Sequence, residues 1–173
     1  LILRSGTTRR WRTTLSTFER TWSRGNYWAL VILPPGDMPA TARLPDYLRA
    51  TRELEQTAGS EQALPAYRAA TVRWPDEPLS WLALGNHVFA RKEYAAAEQA
   101  FRQACRVAPQ QPEGWNNLAY ALLHSGCPQQ ALQAAHCAVQ LAGNDPRYLE
   151  SLNEIRVTAR GTDESYCEAI HCP

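Results

Sequence analysis

Residues 78–111 have the sequence PLSWLALGNHVFARKEYAAAEQAFRQACRVAPQQ, and this stretch decides the fold of the chain. From Trp81 to Val88, apolar or small residues recur at i, i+3, i+4 and i+7, which places them on one face of an amphipathic helix. A second stripe runs from Ala97 to Ala104. Pro78 suits the first position of a helix, where its missing N–H is not needed. The stretch therefore predicts two amphipathic helices that pack against each other.

The same pattern recurs along the chain every 34 residues, which is the spacing of Trp81 and Trp115. Pro109 follows Pro75 at the same distance. Other residues that keep the spacing are Leu84 and Leu118, Gly85 and Ala119, Ala63, Ala97 and Ala131, and Ala70, Ala104 and Ala138. A fixed period of this length indicates stacked repeats, because one helix pair alone cannot cover its own apolar face.

A 34-residue unit with W-x-x-L-G, then A-x-x-x-F-x-x-A, then a closing proline, resembles the tetratricopeptide repeat (TPR). The resemblance implies a mostly α chain in which residues 44–160 form a helical superhelix with a concave surface. The units are expected at 44–77, 78–111 and 112–145, followed by a solvating capping helix at 146–160.

Residues 1–43 have a different character. They carry seven arginines against Glu19 and Asp37, a net charge of +5, whereas the rest of the chain sums to −4. Their pattern predicts a strand, a second strand, a helix from Ser16 to about Arg24 and a strand over Tyr27–Leu33. We expect a small α+β segment.

The stretches LRSGTTRR, TFERTW and YWALVILPPG resemble the C-terminal end of a papain-like domain, that of the double-glycine-leader (bacteriocin-processing) cysteine peptidases. In that family the catalytic Cys and His lie upstream of this part. The resemblance implies that residues 1–43 are a remnant of such a domain. It leaves open an alternative function, in which the chain is the C-terminal half of a thiol peptidase. We predict no catalytic residue, metal or cofactor within this chain.

Composition narrows the classes of function. The formal net charge is +1, which gives no general argument for nucleic acid as a partner. The cluster of Arg9, Arg10 and Arg12 lacks interleaved aromatic residues, so a solvated sheet edge explains it better than nucleic-acid binding. No apolar run reaches the roughly 20 residues of a membrane span. Because the chain begins at Leu1 and has Met38 as its only methionine, we expect a fragment or a processed form.

The TPR resemblance implies that fixed positions of each first helix line a groove for a peptide, a partner protein or the upstream domain of the same protein. The residues expected there are Arg52, Leu82, Asn86, Phe89, Asn116, Asn117, Tyr120, His124 and Arg147. Asn86, Asn117 and Arg147 match part of a carboxylate-binding subclass, but Leu82 and Ser151 stand where basic residues are expected. A purely architectural scaffold is a third interpretation.

The five cysteines carry no metal signature. Cys105 and Cys137 fall on predicted helices, where small buried thiols are expected. The tail, residues 161–173, fits a local disulfide between Cys167 and Cys172, free thiols, or least well a metal half-site with His171. A disulfide would indicate an oxidising compartment such as the bacterial periplasm or cell envelope, with the cytoplasm as the alternative.

Overall fold

The computed structural model describes residues 2–5, 8–12, 14, 16, 34, 36–143, 145–159 and 167–173. The chain divides into two compact units, Leu1–Leu33 and Pro34–Pro173. In the first unit, β1 (Ile2–Ser5) and β2 (Thr8–Arg12) pair as antiparallel strands, with Leu3 opposite Trp11. Apart from Ser16, the predicted helix and the third strand lie outside the described residues.

The second unit contains seven described helices that follow one another without an intervening strand. Their bounds are α1 Leu44–Ala58, α2 Ser60–Arg73, α3 Pro78–Ala90, α4 Tyr94–Val107, α5 Pro112–His124, α6 Pro128–Leu141 and α7 Pro146–Ala159. Successive odd-numbered helices start one repeat period apart, three of them at a proline. None of the described helices is both long and apolar enough to cross a membrane.

The helices form a curved array. Each helix packs on the next one in the chain, and α1, α3, α5 and α7 also contact one another in sequence. Among the described helices, the backbones of α2, α4 and α6 do not contact each other. We therefore call α1, α3, α5 and α7 the inner helices, which line the concave face, and α2, α4 and α6 the outer helices, which diverge on the convex face.

The recurring tryptophan and proline join one unit to the next. The indole Nε1 of Trp81 donates a hydrogen bond to the Pro75 carbonyl oxygen at 2.7 Å, and Trp115 does the same to Pro109 at 2.8 Å. Each proline ends one unit and each tryptophan lies in the first helix of the following unit. At Trp115, which is 7% exposed, the bond satisfies a donor that burial of the large ring would otherwise leave unpaired.

Small residues let the two helices of a unit approach closely. A Cβ atom added to Gly85 would lie 2.4 Å from Cε1 of Phe101, which is only 1% exposed. One unit later the corresponding pair is Ala119 and Ala135, both fully buried or nearly so. The glycine in α3 is therefore required by the size of the ring that α4 places against it.

Two disulfides attach the C-terminal tail to the helical array. Cys127, just before α6, pairs with Cys167, and Cys137, within α6, pairs with Cys172. The expected local bond between Cys167 and Cys172 is therefore wrong, as is the expectation of a free thiol at Cys137. The tail folds back onto α6 and the residue before it, and the bonded cysteines are 35 and 40 residues apart in the chain.

Candidate functional site

The concave face is built from side chains that bridge neighbouring inner helices. Asn117 Nδ2 on α5 donates to Asn86 Oδ1 on α3 at 3.1 Å. Tyr120 on α5 donates to Glu154 Oε2 on α7 at 2.6 Å. Burial, followed by the bond to Glu154, raises the pKa of Tyr120, so this phenol remains a donor at neutral pH. These bonds hold three successive inner helices at a fixed spacing.

A cleft of about 250 Å³ lies between α1 and α3 at the N-terminal end of this face. Its lining residues are Leu48, Arg52, Glu55, Tyr67, Ala83, Asn86, His87 and Ala90. Arg52 and Asn86 are exposed at the cleft. The cleft therefore offers a guanidinium and a carboxamide to a ligand in the groove.

The base of this cleft is a buried hydrogen-bond network. Glu55 accepts from the Tyr67 hydroxyl at 2.8 Å through Oε2 and from His87 Nδ1 at 2.7 Å through Oε1. The Tyr67 and His87 rings also pack against each other, with centroids 4.6 Å apart and an interplanar angle of 33°. Burial and the bond to Glu55 raise the pKa of Tyr67. His87 Nε2 is buried and has no hydrogen-bond partner among the described residues.

An aromatic cluster follows along the groove. The ring of His124 stacks on Tyr94 with centroids 4.7 Å apart, and Phe89 packs edge-on against both, at 5.3 Å from Tyr94 and 5.5 Å from His124. His124 is exposed, whereas Phe89 and Tyr94 are half-buried. The cluster provides an apolar platform beside the Asn86 and Asn117 carboxamides, since Phe89 and His124 belong to the same two helices.

The other residues predicted to line the groove lie in different surroundings. Leu82 packs against the hydrophobic core and is half-buried. Asn116 is half-buried, and within the described part of the chain its Oδ1 atom has no hydrogen-bond partner. Arg147 is exposed, but its guanidinium is bound to the Asp145 carboxylate at 2.9 Å. Of the three residues that match the carboxylate-binding subclass, Asn86 and Asn117 lie together and Arg147 is engaged elsewhere.

Sequence reasoning missed Glu55, Tyr67, His87 and Glu154. Glu55 precedes Phe89 by one repeat period, so the groove spacing that selected Phe89 would also have selected Glu55. His87 had no such signal, because it lies on the buried side of α3 and reaches Glu55 only through the stacking of two units.

The described residues contain no group of three or more His, Cys, Asp or Glu side chains that could hold a metal ion. Cys105 is the free cysteine in this part of the chain and is buried. Burial raises the pKa of its thiol to about 12, whereas a nucleophilic cysteine needs a lowered pKa.

Comparisons with known proteins agree with this architecture. Two family models, both described as tetratricopeptide repeat, match residues 47–112 and 100–133. Because neither covers residues 1–43, they give no support to the resemblance of that segment to a peptidase domain.

The cytochrome c-type biogenesis protein CycH of Pseudomonas aeruginosa is 27% identical over 126 residues, which are 72% of this chain and 31% of that protein. The chain thus spans about a third of the length of this curated relative. The type III secretion translocator chaperone SycD of Yersinia enterocolitica has a similar fold, with a TM-score of 0.61 at 19% identity over 70% of this chain and 99% of that one. The helices of residues 47–133 are therefore tetratricopeptide repeats.

Proposed function

We propose that residues 44–160 form a protein-interaction module, which binds an extended segment of a partner protein along the inner helices. The observation that carries the proposal is the pair of carboxamides on α3 and α5. Asn117 Nδ2 donates a hydrogen bond to Asn86 Oδ1. This leaves the Asn117 Oδ1 oxygen and the Asn86 NH₂ group for a ligand. A peptide backbone presents the complementary N–H and C=O groups.

The aromatic cluster and Arg52 complete this surface. Phe89 and His124 offer ring faces to an apolar side chain of the ligand, and the exposed Arg52 offers a charge at one end of the groove. Such a mixture of aromatic, amide and cationic groups is typical of surfaces that bind protein segments.

A peptide array tests the proposal. It includes segments of c-type cytochromes around their C-x-x-C-H haem-attachment motifs, because the Pseudomonas aeruginosa relative is named for cytochrome c biogenesis. Saturable binding of a peptide is expected to weaken about tenfold in the Asn86→Ala/Asn117→Ala variant, since each lost hydrogen bond contributes about 0.5–1.5 kcal/mol.

The matched control replaces two exposed carboxamides on the outer helix α6, Gln133→Ala/Gln140→Ala, and should bind like the wild type. If both double variants bind with wild-type affinity, the contact is not in this groove. If no peptide binds saturably, the proposal is overturned in favour of a scaffold.

We further infer that the protein functions in an oxidising compartment, such as the periplasm or another extracytoplasmic space of a bacterial envelope. The inference rests on the two disulfides, which persist in such compartments and are rare in the cytosol. Non-reducing peptide mass spectrometry of the protein from its native cells should recover the Cys127–Cys167 and Cys137–Cys172 peptides. Recovery of these four cysteines as free thiols would contradict it.

A further inference from the structure

The convex face contains a cleft of about 420 Å³ that the proposed function does not use. It lies between α2 and α4, whose backbones do not contact each other, and the inner helix α3 forms its floor. Its lining residues are Arg68, Trp81, Leu84, Val88, Ala96, Gln99, Ala100, Arg102, Gln103 and Arg106. We call this set the outer cleft.

The outer cleft is apolar at its floor and basic at its rim. Trp81, Leu84 and Val88 provide the floor, and none of its described lining residues is acidic. Arg102 is held by Glu98 at 2.9 Å and by Glu168 at 3.5 Å. Arg68 has no carboxylate partner in the described part of the chain, and Arg106 donates only to Gln103 Oε1 at 2.9 Å. Two guanidinium groups are therefore available to an acidic ligand.

The next gap between outer helices shows how a chain segment crosses such a cleft, and about 390 Å³ of space remains there between the segment and the helices. There, between α4 and α6, the disulfide-bonded tail lies over Trp115 and Leu118, the residues that correspond to Trp81 and Leu84 one unit earlier. Ile170 of the tail is buried in the same apolar cluster as these two residues.

The ion pair between the tail and α4 has a counterpart position in the outer cleft. The Glu168 carboxylate of the tail pairs with Arg102, and Arg102 also donates to the Glu168 carbonyl oxygen at 3.3 Å. Arg68 lies one repeat period before Arg102 and so holds the corresponding position on α2. The tail thus shows, within this chain, that an extended segment with Glu followed two residues later by Ile fits between two outer helices.

We propose that the outer cleft binds an extended segment of a partner protein that carries an acidic residue followed two positions later by a branched apolar residue. The carboxylate pairs with Arg68, and the apolar side chain is buried with Trp81 and Leu84. One unit later, Glu168 pairs with Arg102 and Ile170 belongs to the same buried apolar cluster as Trp115 and Leu118. The apolar floor favours such a peptide over a nucleic acid, because a phosphate backbone has no group to bury there. This site lies on the opposite face from the concave groove and does not depend on it.

The test uses the oxidised chain, in which the tail occupies its own gap, and the peptide Ser-Glu-Ala-Ile-His-Ser-Pro, which is the tail sequence with serine in place of each cysteine. Binding is followed by NMR through the indole N–H signal of Trp81. We expect a saturable shift of this signal and a smaller shift of the Trp115 indole, because the tail already lies across its gap.

Two variants and one altered peptide make the test specific. Arg68→Glu should weaken binding at least about fivefold, because it replaces an attractive charge with a repulsive one. Arg73→Glu, an equal charge change on the same helix outside the cleft, should leave binding unchanged. A peptide with Lys for Glu and Ser for Ile should not bind.

The proposal is overturned if the Trp81 signal does not shift saturably, if the altered peptide binds equally well, or if Arg68→Glu has no effect. A loss of binding in the Asn86→Ala/Asn117→Ala variant with Arg68→Glu unaffected would place the peptide in the concave groove instead. That outcome would support the proposed function while it refutes this inference.

Discussion

The contact between Gly85 and Phe101 provides a sharp test of how the repeats pack. In the Gly85→Ala variant, the new Cβ would lie 2.4, 2.6 and 2.9 Å from three carbon atoms of the Phe101 ring. These distances are too short for carbon atoms in contact, so the ring must move. Since Phe101 is only 1% exposed, it has no solvent-filled space to move into.

Two opposing terms determine the size of the effect. Alanine is favoured over glycine in a helix interior by about 0.8–1.0 kcal/mol. Overpacking of a well-packed core costs about 1–3 kcal/mol, and an overlap with a fully buried ring belongs near the upper end. We therefore expect Gly85→Ala to lower the free energy of unfolding by about 1–2 kcal/mol.

Guanidinium unfolding followed by circular dichroism measures this difference, with Gly114→Ala as the matched control. At Gly114 the nearest atom to an added Cβ is Cys105 Sγ at 3.2 Å, so a smaller loss is expected. Combining Gly85→Ala with Phe101→Leu should cost less than the sum of the two single changes, because the smaller side chain leaves room for the methyl group. A Gly85→Ala variant as stable as the wild type would refute the packing argument.

Four further predictions follow from other contacts. Lys92 has a φ of 63°, in the left-handed region that favours glycine, and Gly126 holds the corresponding position one unit later. Lys92→Gly should therefore stabilise the fold by about 0.5–1 kcal/mol in the same unfolding assay, and a loss of stability would contradict this. The two disulfides close loops of 40 and 35 residues, and the chain-entropy model gives a stabilisation of about 4 kcal/mol for a loop of that size. Reduction of both should therefore lower the melting temperature measurably, and equal melting curves with and without reductant would count against this. Cys105 should resist iodoacetamide at pH 8 in the native oxidised protein, because with a pKa of about 12 the thiolate fraction is roughly 10⁻⁴; rapid labelling seen by mass spectrometry would show that the thiol is accessible. Glu55→Gln should cost about 1–3 kcal/mol of stability, because the amide cannot accept hydrogen bonds from both Tyr67 and His87; an unchanged unfolding midpoint would argue against the network.

The helical array was predictable because its signals are local or strictly periodic. The spacing of apolar residues in 78–111 marks two helices, and the periodic recurrence of tryptophan and proline repeats the pattern. The structure adds the physical reason for that recurrence, since Trp81 and Trp115 donate to the carbonyl groups of Pro75 and Pro109. The structure also gives the reason for a small residue at Gly85, since the Phe101 ring lies directly against it.

The disulfide pairing was not predictable, because nothing in the sequence indicates that the tail returns to the convex face. The expected bond between Cys167 and Cys172 rested only on their closeness in the sequence. In the structure, the gap between α4 and α6 accepts Ile170, and this burial brings the tail cysteines beside Cys127 and Cys137.

The groove was predictable only as a set of positions. Spacing along the inner helices selects Asn86 and Asn117, which bond to each other, and Tyr120, but it does not select Glu154, the partner of Tyr120. Arg147 illustrates the limit, because its ion pair with Asp145 depends on how the chain turns between α6 and α7. The network of Glu55 with Tyr67 and His87 likewise exists only after two units have stacked.

Photo-crosslinking of a peptide selected on the array tests the central claim most directly, namely that the concave face binds a segment of a partner protein. Benzoylphenylalanine is placed at Phe89 in the groove and, as control, at Val72, an 81% exposed apolar residue on the outer helix α2. We predict efficient crosslinking from position 89 that excess unlabelled peptide abolishes, and little from position 72. Crosslinking from position 72 with none from position 89 would contradict the account.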